Sequence, residues 1–238
     1  HVILELAIIK AEIEQIKDKD IRDFVFVAMS EAIRFVSNRR NGEFKMFRMP
    51  AAKVQAFNPE VYVEFRKILL RNVSKMKDFC EALDNAHSES DVSVFNNNVC
   101  TLSDVPDDTY DLIITSPPYG DSRTTVAYGE YSRLSLQWIN LFSLSEKEIM
   151  SIDKSLMGGK KYRNGFEFTL CSETLRASLD VIKDADIERA GDVYSFYVDL
   201  DAALQSVARK TKSGGYQFWV VGNRTVKNEL LQTDVIIA

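Results

Sequence analysis

The chain has 238 residues, 45% of them hydrophobic and 27% charged, and a formal net charge of −5. That is an ordinary globular composition and enough length for one substantial core. No apolar run approaches the ~20 residues a membrane span needs, and no signal-peptide pattern opens the chain, so a soluble, cytoplasmic protein is expected.

Cysteine and histidine usage narrows the chemistry further. Cys80, Cys100 and Cys171 are widely spaced, and His1 and His87 are the only histidines. This argues against a disulfide framework, a metal site and histidine-based catalysis. The negative net charge does not by itself mark a nucleic-acid binder.

Helices are expected at 3–17 and 20–37, the second closing with Met29–Asn38. A basic stretch follows, with Arg39, Arg40, Lys45 and Arg48 around Gly42. Asn58-Pro59-Glu60 offers an N-cap, a proline at the first helical position and an early acid. A long helix should run from there to about residue 85, with Arg66, Lys67, Arg71, Lys75 and Lys77 on a solvated face. Val92–Phe95 reads as a strand, followed by Asn96, Asn97 and Asn98. Pro106-Asp107-Asp108 reads as a loop.

The next segment is the most informative. Asp111-Leu112-Ile113-Ile114 reads as a short buried strand that runs into Thr115-Ser116-Pro117-Pro118-Tyr119. Each proline lacks an N–H and fixes φ near −65°, so the ladder must stop at Ser116. A stiff loop then lies at the carboxyl end of a strand, the edge where open α/β sheets bind ligands. Its residues suit methylation of an exocyclic base amine. Such an amine is a poor nucleophile, because its lone pair is delocalised into the ring. Two acceptors holding its hydrogens, the Ser116 hydroxyl and the Pro117 carbonyl, would draw it towards a tetrahedral geometry. Tyr119 offers a flat face for a base taken out of the stack.

Gly120–Gly129 reads as a mobile loop able to close over a substrate, and Glu130–Ile139 as a helix with Tyr131, Leu134, Trp138 and Ile139 on one face. Residues 145–171 read as irregular. Within them Lys154, Lys160, Lys161 and Arg163 surround Gly158-Gly159. Backbone and lysines there are candidate phosphate contacts; a solvated face is the alternative. Helices near 172–186 and 192–211 follow, the latter with Val193, Phe196, Tyr197, Leu200, Leu204 and Val207 on one face. Gly214 is a candidate helix cap after Arg209, Lys210 and Lys212. A strand through Trp219 and a polar loop, Gly222-Asn223-Arg224-Thr225-Val226-Lys227, complete the pattern. Asn223 and Arg224 are either cap residues or residues facing a target-base pocket.

At Thr115–Tyr119 the chain resembles the DNA amino-methyltransferases, which carry a Ser/Asp/Asn-Pro-Pro-Tyr motif and act on cytosine N4 or adenine N6. The helix, Gly-Gly, strand and Gly-Asn-Arg-Thr order resembles a later strand of that family, and Glu130–Ile139 resembles the helix beside its catalytic pocket. Met29–Arg48 resembles the helical segment between the cofactor half and the Pro-Pro-Tyr half of some members.

The resemblance implies an α/β, Rossmann-like methyltransferase sheet, partial in this chain, behind an N-terminal helical segment: residues 1–90 helical and 91–238 the catalytic half. It implies S-adenosylmethionine as cofactor and DNA as partner, in a restriction-modification setting. It implies Ser116, Pro117, Pro118 and Tyr119 as catalytic residues, and cytosine N4 is the favoured target. Thr115, Asn97 and Asn98 are the cofactor-side candidates, although the family often has Gly-Asp where Asn97 and Asn98 stand. Lys160, Lys161, Arg163, Asn223 and Arg224 are the nucleic-acid candidates. The family's cofactor loop is Phe-x-Gly-x-Gly-like, and none of the ten glycines here makes a Gly-x-Gly. The expectation is a fragment, or one partner of a split enzyme, with the rest of the cofactor pocket in another segment or chain. Methylation of RNA or protein amines, or a non-catalytic DNA-binding subunit with a relic fold, are the competing readings.

Overall fold

A computed structural model describes residues 1–238 except 41–44, 87–89, 122–126 and 163–164. The chain divides into two compact units, His1–Val92 with Tyr128–Met150, and Ser93–Ala127 with Ser151–Ala238.

The first unit is helical: α1 (Val2–Glu14), α2 (Lys19–Val36), α3 (Ala51–Ala56), α4 (Val61–Ala86) and α5 (Tyr128–Ile139). Asp18 caps α2 by accepting from the Asp20 and Ile21 N–H groups at 2.9 and 3.0 Å. Leu6, Ile9 and Ile13 of α1 meet Phe26, Met29, Ile33 and Val36 of α2 in a buried cluster, with Leu134, Trp138 and Ile139 of α5 packed on it. The helical spacing of these residues is what makes the face. The first helix-type bond of α4 runs from Glu64 N–H to the Glu60 carbonyl at 3.0 Å. Pro59 therefore precedes the helix instead of opening it, a correction to the expected start.

The second unit holds β1 (Tyr110–Thr115), α7 (Glu173–Ala185), α8 (Ile187–Lys210), β2 (Thr211–Trp219), β3 (Arg224–Val226), β4 (Glu229–Leu231) and α9 (Thr233–Ile237); α6 (Glu146–Ser155) starts in the first unit and ends in the second. Its core is Leu175, Leu179 and Ile182 of α7 against Val193, Phe196, Tyr197 and Leu200 of α8, closed by Val226 and Leu231 of the β3–β4 hairpin. Ser172 and Asp186 cap the two helices, accepting from Leu175 N–H at 3.3 Å and Arg189 N–H at 3.0 Å. The Asp186 cap explains why α8 starts five residues ahead of the expected 192.

β1 and β2 form a parallel pair, with Leu112 opposite Tyr216, Ile114 opposite Phe218 and Thr115 opposite Trp219. The class is therefore mixed α/β with a small parallel sheet. Three sequence expectations change here. Gly214, with φ +82°, lies inside β2 and not at a helix end; α8 is capped at Thr211. The ladder is irregular there, Tyr110 meeting Thr211 and Leu112 meeting Tyr216, and glycine accommodates the looped-out backbone. β1 is not fully buried: Leu112 is 51% exposed and Ile114 71% exposed, on the sheet face opposite Trp219. Finally, Val92–Phe95 makes no strand among the described residues, and Val94 is 93% exposed. Its alternation of apolar residues finds no partner ladder.

Residues 145–171 are more ordered than expected. After α6, Tyr162, Phe166 and Phe168 gather on Tyr194 of α8, with the Phe166 and Tyr194 rings stacked at 4.2 Å. The aromatic residues of an otherwise irregular segment thus join the second core.

Candidate active site

The site is built where β1 ends. The backbone N–H of Val220 donates to the Thr115 carbonyl at 2.9 Å, so the parallel pairing continues to the last residue before Ser116. Pro117 and Pro118 then turn the chain, and neither carries an N–H. Ser116 is exposed and Tyr119 is 49% exposed. The Ser116 Oγ lies 3.4 Å from the Tyr119 hydroxyl. An acceptor oxygen and an aromatic ring therefore stand side by side at the carboxyl edge of the parallel pair.

The segment after β2 packs directly onto this loop. A Cβ at Gly222 would sit 3.0 Å from Cγ of the Tyr119 ring. With a side chain at this position the ring would have to shift by a few tenths of an ångström. A Cβ at Gly120 would overlap the Arg224 guanidinium. Arg224 in turn donates to the Asp121 carboxylate at 3.2 Å, and Arg189 of α8 donates to the same oxygen at 3.1 Å. Asp121 is fully buried; Arg189 also reaches Asp192 at 3.6 Å. Burial pushes the Arg224 guanidinium below its ordinary value, with Asp121 acting the other way. Residues 122–126 of the expected mobile loop lie outside the described residues, while Gly120 and Asp121, which begin it, are buried.

The other candidates fall as follows. Thr115 is the last residue of β1. Asn97 donates to Asp104 at 2.9 Å and accepts from the Ser103 hydroxyl at 3.1 Å, and Asn98 accepts from Cys100 N–H at 3.0 Å. Both asparagine side chains are engaged in their own turn. Asn223 accepts from Asp234 N–H at 3.3 Å, a helix-capping contact to α9. Arg224 is turned inward onto Asp121.

Lys160 and Lys161 are exposed, Lys160 lying 4.9 Å from the Tyr162 ring centroid, and Arg163 lies outside the described residues. Gly158 N–H donates to Asp199 at 2.8 Å and Gly159 N–H to the Leu156 carbonyl at 2.8 Å. Those two backbone donors already serve the fold, which leaves side chains as what this segment offers a phosphate. In the first unit Arg34 and Arg39 stack over Tyr131, and Arg40 lies over Phe47. Part of that basic stretch is therefore packed inward.

Sequence reasoning missed the pairing of Asp121 with Arg189 and Arg224. Arg224 was legible as a candidate, but Arg189 is 68 positions from Asp121, and nothing local in the sequence joins them.

The chemistry is that of a small parallel α/β sheet presenting a Ser-Pro-Pro-Tyr loop at its carboxyl edge. No family model matches the chain, and no solved structure matches it. Over 245 residues it is 41% identical to the type II methyltransferase M.MvaI of Kocuria varians, an alignment that takes in 100% of this chain and 54% of that protein. The chain spans about half the length of the curated relative it matches. Among the described residues no helix is long and apolar enough to cross a membrane.

Proposed function

We propose that this chain handles the target base in an S-adenosylmethionine-dependent DNA methyltransferase that acts on an exocyclic amine, cytosine N4 in preference to adenine N6. The observation that carries the reading is that the Ser116 and Tyr119 hydroxyls lie 3.4 Å apart at the end of β1, beside the half-exposed Tyr119 ring. The 41% identity to a type II methyltransferase, spread over the whole chain, supports it and supports a restriction-modification setting.

S-adenosylmethionine, when bound, supplies an electrophilic methyl group on a sulfonium. Asn97 and the Asn98 Oδ1 already bond within their own turn, so these two candidates give no support for a cofactor contact. The chemistry derived for this chain therefore stops at the amine. Ser116 Oγ accepts one amine hydrogen and the Pro117 carbonyl accepts the other. These two bonds hold the nitrogen lone pair out of conjugation and fix its direction. Tyr119 stacks under the extruded base, a contact worth roughly 1–3 kcal/mol. Orientation carries most of the rate; no strong base is required, because the nitrogen becomes cationic as it takes the methyl group from the sulfonium and then gives up its proton to solvent. The preference for the cytosine amine rests on the resemblance of the Thr-Ser-Pro-Pro-Tyr form to cytosine-N4 enzymes, a form that some adenine-N6 enzymes share.

The test is transfer of labelled methyl groups to DNA by the native protein, followed by mass spectrometry of the nucleosides. N4-methylcytosine is the expected product. N6-methyladenine alone would overturn the base preference and keep the mechanism. Methylated RNA beside unmodified DNA would overturn the substrate class, and no transfer to either would overturn the function.

A further inference from the structure

We infer that Asp121, Arg189 and Arg224 form a positioning clamp that sets the angle and height of the Tyr119 ring for the incoming base. The inference rests on the methyltransferase reading above.

Tyr119 is two residues before Asp121, and Asp121 is fully buried while Tyr119 is half exposed. The loop therefore goes from solvent to interior within one turn of chain. Among the contacts that hold it down, one carboxylate oxygen, Oδ2, accepts from two guanidinium groups at 3.1 and 3.2 Å. The two arginines come from different elements, Arg189 from α8 and Arg224 from the first residue of β3. Arg224 also lies against Gly120 and has its guanidinium carbon 5.6 Å from the Phe196 ring centroid. The residue two before it, Gly222, carries the Tyr119 ring on its backbone. One short segment, 222–224, thus touches the loop at both ends: glycine under the ring, arginine on the acid.

A buried ion cluster is a poor source of net stability, since apolar residues of the same volume often serve as well. Two guanidinium Nη1 groups from different elements converge on one buried carboxylate oxygen, and that convergence limits the directions the carboxylate can take. The base-facing residues themselves have no buried packing of that kind. The clamp supplies the rigidity that a stacking surface needs.

The experiment labels the native protein with 3-fluorotyrosine and assigns the Tyr119 resonance with Tyr119→Phe. Three variants are compared below their melting temperatures: Arg224→Gln, Arg224→Lys and Gly222→Ala. The fluorine shift, kcat, the KM for DNA and the melting temperature are read for each. A clamp predicts that Arg224→Gln and Gly222→Ala both move or broaden the Tyr119 resonance. It also predicts that both lower kcat, by up to on the order of 100-fold for a displacement near 1 Å. Arg224→Lys should recover part of the loss. Gly222→Ala keeps all three charges and presses on the ring directly, so it calibrates how far kcat falls when the ring moves, and Arg224→Gln tests whether the cluster sets the ring. A lower melting temperature with an unmoved resonance and unchanged kcat would assign the cluster to stability alone and overturn the inference. A wild-type protein that transfers no methyl group while the resonances still move would sink the methyltransferase reading and leave the clamp standing.

Discussion

The six residues from Ser116 to Asp121 contain two different environments. Ser116 is exposed and Tyr119 half exposed, with their hydroxyls 3.4 Å apart and the Tyr119 ring against Gly222. Gly120 and Asp121 are buried under Arg224 and Arg189. The first half offers an acceptor and a flat ring, and the second half offers anchorage. Division of this kind lets the chemistry sit at an open edge without losing its geometry, because the strain of exposure is met by contacts two residues away. It also predicts that the two halves respond differently to substitution: the anchored half should lose stability as well as turnover, and the exposed half turnover alone.

The largest stability effect is expected at the anchor. Asp121→Ala removes the carboxylate between two arginines whose side chains are 16% and 12% exposed. Breaking a buried pair by deleting one partner costs about 3–5 kcal/mol. The lower end is expected here, because Arg189 retains Asp192 at 3.6 Å. Urea unfolding of the native protein measures it. A loss under about 1 kcal/mol would place this carboxylate with ordinary surface ion pairs and erase the contrast between the halves.

A smaller effect follows from pH, and it lies outside the loop. Lys227 hydrogen-bonds Asp186 at 2.9 Å and holds its carboxyl below the ordinary range, helped by the Arg189 backbone N–H. Lys210 does the same for Asp107, and Arg71 for Glu31. A carboxylate depressed in the folded state adds stability above its unfolded value, near 4, and loses it as pH falls through the depressed value. Thermal melts should therefore be flat from pH 7 to about 5 and fall in the acid range below 4. Asp186→Asn should make that acid limb shallower. The change should be modest, since these groups are solvent-screened. An acid limb of the same steepness in Asp186→Asn would remove this pair from the account.

How much of this was legible in the sequence depends on whether a signal is local. The helices of both units were readable from spacing: Leu6, Ile9 and Ile13, or Val193, Phe196, Tyr197 and Leu200, repeat at a helical period. The loop after β1 was readable because two prolines can do little else at a strand end. What failed needed partners far away. Val92–Phe95 has strand-like alternation but no ladder to join. Gly214 looked like a helix cap because Gly after a basic helix end usually is one. Its real role is set by the register of β1, more than ninety positions earlier. Asp121 was hidden for the same reason, because its two arginines are 68 and 103 positions away. The chemistry of the loop is local and could be read; its support is tertiary and could not.

The smallest stability effect is expected at Tyr119, and this sharpens the contrast most. Its ring is 49% exposed and rests on Gly222, outside both hydrophobic cores. Tyr119→Ala should change unfolding free energy by no more than about 0.5 kcal/mol, the usual range for surface positions. The same substitution removes the stacking face, worth roughly 1–3 kcal/mol per base. At about 1.4 kcal/mol per factor of ten, methyl transfer at limiting DNA should fall by roughly 5- to 150-fold. Tyr119→Phe keeps the ring and loses only the hydroxyl near Ser116, so it should retain most activity if stacking is the contribution. Activity equal to wild type in Tyr119→Ala would refute the assigned role. Equal losses in the Phe and Ala variants would transfer the role from the ring to the hydroxyl and its 3.4 Å approach to Ser116.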